Sequence, residues 1–339
     1  MRKDPMPNYS PALNRRHRML AFVAICSFFG LDSTWAQPKV REASPISFEL
    51  DREMDVAAWY HVPAWSGNLL LRVEDNLTAS PLIDTTTRDG VHEAIAFDVA
   101  GSDLVNIRSV AAGNDGSILV AGNAFSRDSR RAGFLSYITP DRRNRTLIQT
   151  AWFFPETAAL AADGTIWAIG STFDGLEGRH NTFNVLQRYD RAGKMLSSSH
   201  SAGAIAWSNS SFDAGESSHL LPSRDRVGWL TNGCQYIEFS LTGAELGRFG
   251  PPEGMSQQGA LQGVAISGSG HLVLSKRGGA GSGMLALDRE SASWSPVIVV
   301  GQSPSASLTV LGFDGEALVV SQGAGKLRRL RLSLANEKR

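Results

Sequence analysis

Residues 158–170 read AALAADGTIWAIG: a short apolar run, an Asp163-Gly164 turn and a second apolar run. The same pattern recurs as VAAGNDGSILVAG (110–122), GVAISGSGHLVLS (263–275) and VLGFDGEALVVS (310–321). Asp-Gly and Ser-Gly between β-rich runs are hairpin chemistry, because tight turns that follow strand twist need a residue tolerant of positive φ. Two degenerate copies, at Ser66-Gly67-Asn68 and Asp225-Arg226, fill the gaps. Counted at the second turn residue, the copies fall at 67, 116, 164, 226, 270 and 315. The spacings are near the ~40 to 50 residues of a four-stranded propeller blade, and only the interval from 164 to 226 needs an inserted loop.

The sequence therefore predicts an all-β, six-bladed β-propeller of four-stranded antiparallel blades. A β-sandwich uses similar hairpins but does not repeat one turn at one long period. The clear turns are followed by second hairpins: residues 134–141 with 146–150, 185–190 with 194–196, and 236–240 with 245–249. The last repeat has a third strand at 327–334 and no fourth. Residues 45–50 (PISFEL) are placed to complete it, closing the ring and removing a sheet edge.

The stretch ELGRFGPPEG (245–254), running into GVAISGSGHLVL, resembles the repeat of NHL-type propellers, in which a strand ending in Phe-Gly leads through a Gly and Pro loop to a Val-Ala strand and a turn. RYDRAGK (188–194) is similar to that family's third strand and turn. The likeness spans much of residues 105–334 as a pattern. It implies the fold and carries over no catalytic residue, because the shared positions are structural.

Outside the array, Met1-Arg2-Lys3 and Arg15-Arg16-His17-Arg18 precede a thirteen-residue apolar run from Met19 to Leu31, then Thr34 and Ala36. This reads as a secretory signal peptide over 1–36, cleaved after Ala36, ahead of a single propeller domain over 37–339. The run is short of the ~20 residues a membrane-spanning helix needs, so no stable membrane anchor is expected. Val23-Ala24-Ile25-Cys26 is a poor lipoprotein signal, since bulky Ile25 precedes the cysteine. The expected location is periplasmic or secreted.

Cleavage removes 5 of 33 basic and 2 of 33 acidic residues, leaving a net charge of −3. That argues against a general nucleic-acid binder, which needs a basic surface for counterion release. Only Cys234 then remains, which excludes an intrachain disulfide and a cysteine zinc site. It reads as a small apolar filler at a strand start, with a reactive thiol as the alternative.

Propeller geometry puts the first-to-second and third-to-fourth strand turns on one face, where they are short, and the second-to-third and blade-to-blade connections on the other, where they are long. Function on loops held by a rigid scaffold is the ordinary arrangement. The long loops hold the candidate binding residues Arg127, Arg130, Arg131, Phe173, Asp174, Trp207, Asp213, Lys276 and Arg277. His180, His219, Glu216 and Arg179 are the candidates for a catalytic site at the channel mouth. Asp174, Glu177 and His180, like Asp213, Glu216 and His219, have metal-ligand types but no recognised metal spacing, so no metal site is assigned. No Gly-x-Ser-x-Gly elbow is present. The Gly-rich run 277–283 leads into a strand rather than a helix, so it lacks a helix N-terminus for an anion. Asn76, Asn144 and Asn209 head glycosylation tripeptides that matter only in a eukaryotic source.

Trp152, Phe153 and Phe154 before Pro155 read equally as core or as an exposed aromatic platform. Ser197–Ser218 takes up the long interval and is expected to form a lid over the long-loop face. No pattern requires a cofactor. The expectation is a monomeric binding module for a protein, peptide or glycan at the long-loop face. The alternative is an enzyme of the six-bladed lactonase or lyase kind.

Overall fold

Every one of the six turns joins the two innermost strands of a separate sheet in the computed structural model, which describes residues 46–56, 63–128, 130–172, 183–201, 218–253, 255, 261–276, 283–301, 307–323 and 325–333. Strand β1 (Ser47–Asp55) precedes the array. Blade one comprises β2 (Ala64–Ser66), β3 (Leu69–Glu74), β4 (Leu82–Thr87) and β5 (His92–Ala96). Blade two is β6 (Leu104–Ala112), β7 (Ile118–Phe125), β8 (Arg131–Ile138) and β9 (Arg145–Gln149). Blade three is β10 (Phe153–Leu160), β11 (Ile166–Thr172), β12 (Asn184–Tyr189) and β13 (Met195–Ser201). Blade four is β14 (His219–Pro222), β15 (Arg226–Leu230), β16 (Tyr236–Ser240) and β17 (Glu245–Phe249). Blade five is β18 (Leu261–Ile266), β19 (Leu272–Lys276), β20 (Met284–Asp288) and β21 (Ser293–Pro296). The short β22 (Ile298–Val299) follows, and β23 (Thr309–Asp314), β24 (Ala317–Ser321) and β25 (Lys326–Leu332) begin blade six.

The innermost strands β2, β6, β10, β14, β18 and β23 pack side by side in that order and return to β2, so the array is a closed ring. Closure comes from the two ends of the chain. β1 runs antiparallel to β25, pairing Phe48 with Leu332, Leu50 with Leu330 and Met54 with Leu327. The closing strand is longer than the sequence suggested, reaching Asp55, and β22 adds to its outer side in parallel. The all-β, six-bladed reading is thus what the chain adopts.

Alternation inside the strands makes the core. In β7, Ile118 and Val120 face blade one while Leu119 and Ala121 face blade three, so both surfaces of the blade are buried and the strand reads as continuous apolar sequence. Each of the six seams between blades has its own apolar cluster. Trp167, Trp229 and Phe239 fill the seam of blades three and four, and Trp65, Leu70, Leu311 and Leu327 fill the seam where blade six meets blade one. Full burial of side chains this size contributes about 1.5 to 3 kcal/mol each.

The turns refine the reading in their details. At 113–117 and 161–165 the hydrogen bonds Gly116 N to Gly113 O and Gly164 N to Ala161 O close a three-residue loop in which only the glycine, at φ +83° and +82°, is left-handed. The degenerate turn of blade four is centred on Arg224-Asp225 rather than Asp225-Arg226, because Ser223 N bonds to Arg226 O. Cys234 lies in the turn between β15 and β16, not at a strand start. It takes there, at φ +57°, the left-handed place that glycine holds elsewhere, and it is buried. Burial pushes its thiol above the usual range, which disfavours the thiolate that reactivity needs.

Candidate functional site: the central channel

The six innermost strands enclose a cavity of about 1630 Å³. At the short-turn end its wall mixes small residues such as Gly67, Ala112, Ala161 and Gly268 with the charged Asp115, Arg191, Arg224 and Glu316. Farther along, the inner strands depart from regular pairing. β6 has a bulge between Ile107 and Ser109, β10 between Pro155 and Thr157, β18 between Leu261 and Gly263, and β23 between Val310 and Gly312. An extra residue in one strand re-aims a side chain. The four extra residues are Arg108, Glu156, Gln262 and Leu311, so two adjacent blades place opposite charges on the inner strands at equivalent bulges, and both residues line the cavity.

The bulges of blades two and three rest on glycines. Gly122 and Gly170 lie on the second strand, paired with Ile107 and Pro155 beside the bulged residues. A Cβ at Gly122 would stand 2.2 Å from Asn106 O, and one at Gly170 would stand 2.2 Å from Phe154 O. Only a residue without a side chain lets those carbonyls turn in. Ser109, the next residue after Arg108, accepts at Oγ from Ala158 N at 3.3 Å and ties the two bulged strands together.

His219 opens β14 and lines the same cavity. Counted from the turn, it holds in blade four the register position of Ser109 and Thr157, one step from the bulge level. The ring is partly exposed, and removal from water pushes its pKa down from 6.5 to about 4, so the imidazole is neutral near pH 7. No salt bridge or side-chain hydrogen bond engages Arg108 among the described residues. Arg72, another arginine of the channel wall, is committed to the buried Asp84, which His92 also contacts. On the blade-one side, Asn76 bonds to Ile107 O at 2.9 Å and receives Ile107 N at 2.8 Å, fixing the β3–β4 loop against the start of β6. The belt thus offers a free guanidinium, a carboxylate and a neutral imidazole on neighbouring strands. It can hold a carboxylate on Arg108 and hydrogen-bond donors on Glu156, or move a proton between donor and acceptor.

The residues singled out in the sequence are divided by the structure. Arg127 and Arg130 lie in the β7–β8 loop, both strongly exposed and paired with Asp103 and Asp128. Arg131 and Lys276, read as loop residues, are strand residues instead. Arg131 opens β8 with its guanidinium 4.2 Å from the Phe154 ring, and Lys276 closes β19. The aromatic trio splits: Phe153 and Phe154 are core, and Trp152 is exposed. Of the candidates among the described residues, His219 lines the channel. Phe173, Asp174, Glu177, Arg179, His180, Trp207, Asp213, Glu216 and Arg277 lie outside the described residues, as do the signal segment through Ala36 and most of the expected lid. Of that lid, Ser197–Ser201 belong to β13 and Ser218 is buried. No group of three or more His, Cys, Asp or Glu suited to a metal ion gathers among the described residues, and none of their helices is long and apolar enough to cross a membrane. Arg108 and Glu156 were missed in the sequence. Their signal was a second glycine six residues after the turn glycine, present at Gly122 and Gly170 and replaced in blade five by Lys276.

No family model and no curated protein matches the sequence. Among solved structures, the chain is similar to a protein of unknown function from Bacteroides caccae, at 14% identity and a TM-score of 0.46 over 75% of this chain and 82% of that one. It is similar to a gluconolactonase from Xanthomonas campestris at 17% identity and a TM-score of 0.43, over 87% and 99%. It is also similar to BamB from Moraxella catarrhalis at 10% identity and a TM-score of 0.41, over 85% and 98%. Similarity at this level transfers no residue role.

Proposed function

We propose that the protein is an exported, NHL-like binding propeller that admits an acidic group of its ligand, a sugar acid or a peptide terminus, from the long-loop face into the central channel. The observation that supports this reading is the pair of bulges that put Arg108 and Glu156 at equivalent positions of neighbouring strands in the channel wall, each made possible by a glycine. Bulges are built-in features that re-aim side chains next to sites. An arginine with no partner among the described residues, in a cavity of this size, is a carboxylate receptor of the ordinary kind. Export rests on the basic, apolar and small-residue order of residues 1–36.

One observation favours a second reading, an enzyme of the lactonase or lyase kind. His219, on the strand next to that of Glu156, is a neutral imidazole whose lowered basicity makes it a weak proton acceptor, with Glu156 as the stronger one beside it. Thermal-shift measurement against uronic acids, neutral sugars and short peptides tests the binding reading. Acidic compounds should raise the Tm of the wild type and leave Arg108→Ser unmoved. Equal shifts in both proteins would remove Arg108 from the site. Consumption of a lactone or uronide that is abolished in His219→Gln would replace binding by catalysis.

A further inference from the structure

Arg108 shares its part of the channel wall with an opposite charge that it does not meet. Glu74 ends β3, and Asp75 leads the chain into Asn76, which is pinned to the neighbouring blade. Asn76 Nδ2 donates to Ile107 O at 2.9 Å and to Asn106 Oδ1 at 3.1 Å, and its Oδ1 accepts from Ile107 N at 2.8 Å. Asp75 O accepts from Thr78 Oγ1 at 2.8 Å, so the loop is held on both sides of that residue. Asp75 thus precedes the residue bonded to Ile107, and Arg108 follows Ile107. Both charged residues line the cavity. Among the described residues no ion pair or hydrogen bond engages the Asp75 carboxylate, and it does not pair with Arg108.

Charge around the two is in negative excess. Glu74, Asp75 and Glu156 line the cavity here, while Arg72 is held by the buried Asp84 and lies 3.8 Å from Glu74. With His219 neutral, the described residues set four carboxylates, of Glu74, Asp75, Asp84 and Glu156, against the two guanidiniums of Arg72 and Arg108. The short-turn end, with Asp115 and Glu316 against Arg191 and Arg224, is balanced. A cleft with one sign of charge in excess focuses its field, so a simple anion approaching Arg108 is repelled by the carboxylates around it. A ligand that brings an ammonium group along with its carboxylate turns that repulsion into attraction.

We propose that the channel ligand is a zwitterion, an amino acid or a short peptide with both termini free, its carboxylate on Arg108 and its ammonium on Asp75. This rests on the channel reading given above and narrows it. An ammonium group offers three donors and suits a carboxylate that lacks a donor of its own, and both contacts are charge-assisted. Glu74 adds to the field without touching the ligand. Uronic acids carry the acid group alone and are selected against.

The test is a thermal-shift screen of the full chain against the free amino acids, di- and tripeptides and uronic acids, followed by calorimetric titration of the strongest amino acid or peptide and of its N-acetylated and C-amidated forms. N-acetylation should weaken binding about tenfold or more, and Asp75→Asn should do the same to the unmodified ligand. Asp75→Asn should leave the N-acetylated form no weaker than it is in the wild type, because both changes remove one contact. Amidation and Arg108→Ser should be coupled in the same way. Asparagine tolerates the backbone of Asp75, at φ 50°, as aspartate does, so the variant should melt with the wild type. Uronic acids or the N-acetylated form binding as tightly as the zwitterion, or a zwitterion indifferent to Asp75→Asn, would overturn the proposal and leave the Arg108 reading standing. Binding of no carboxylate compound, or binding indifferent to Arg108→Ser, would overturn both.

Discussion

Arg289, in the outer turn of blade five, donates from Nε to Oε1 of Glu238 at 2.7 Å, and Glu238 lies buried in the third strand of blade four. Each seam has at least one such directional tie beside its apolar cluster. Arg142 meets Glu93 at 3.2 Å between blades one and two, and Arg191 lies over Tyr137 between two and three. Arg188 donates to Thr242 O at 2.5 Å between three and four. Glu316 accepts from Ser269 N at 2.9 Å between five and six, and Arg88 pairs with buried Asp314 between six and one. The apolar clusters supply the burial, while the directional ties fix how each blade sits on the next.

Glu238 is expected to be the most sensitive of these. Arg226 also reaches it, at 3.1 Å, so Glu238→Gln leaves two guanidiniums facing a neutral group in a buried seam. Removing one member of a buried charge network costs on the order of 3 to 5 kcal/mol. Denaturant unfolding should show a loss of that size, with a smaller one for Arg289→Met, which leaves the Arg226 pair in place.

Two glycine substitutions separate turn strain from bulge support. Gly116→Ala meets no atom within 4 Å and has only its φ of +83° to accommodate, a strain of about 1 kcal/mol. Gly170→Ala must displace the Phe154 carbonyl, 2.2 Å from the new Cβ, and should cost about 3 kcal/mol or more. It should also weaken any ligand held by Glu156, whereas Gly116→Ala should not. Comparable unfolding midpoints for the two variants would show that the bulge does not need its glycine.

These glycines mark how far the sequence could be read. The turn period, the blade count and the closing strand were legible, because hairpin turns and two-sided apolar strands follow local rules written in Asp163-Gly164 and its copies. Arg108 and Glu156 were not, because a bulge arises from pairing between strands and leaves the residue order unremarkable. Gly122 and Gly170 were the visible trace, but a lone glycine in a strand has many causes. His219 was found for its chemistry. Its depressed basicity required knowing what surrounds it. Arg131 was misplaced in a loop because a charged residue next to other arginines looks solvated, whereas its guanidinium stacks on Phe154.

Acid should weaken the fold through His219. Its folded pKa of about 4 is below the unfolded 6.5, so between those values the unfolded chain binds the extra proton. Stability from this group is complete above pH 6.5 and is lost as pH falls toward 4, up to ~3 kcal/mol. Unfolding free energies from pH 7 to pH 4 should fall less steeply in His219→Phe than in the wild type. Parallel curves would place the acid sensitivity elsewhere.

Closure depends on β1. Asp51, at the bulge of β1, pairs with Arg329 and with Arg331 at 2.8 Å, and Glu53 pairs with Arg328 at 2.7 Å. Deleting residues 47–55 should expose β25 as an edge, lower the melting temperature and produce aggregation visible in light scattering. Asp51→Asn should do so mildly, since it weakens the charge pairing while keeping the strand. A deletion variant that stays monomeric with unchanged melting would show that blade six does not need its fourth strand.

The central claim is that the channel belt of Arg108 and Glu156 holds a ligand, and calorimetric titration of the compound with the largest thermal shift tests it most directly. The proteins compared are the wild type, Arg108→Ala, Glu156→Gln and Arg224→Ala, the last altering a channel residue at the short-turn end. Loss of a charge-assisted contact of ~1.5 to 3 kcal/mol predicts at least tenfold weaker binding in the first two variants and wild-type affinity in the third. Undiminished affinity in Arg108→Ala and Glu156→Gln, with loss in Arg224→Ala, would contradict the account and move the site to the opposite end of the channel.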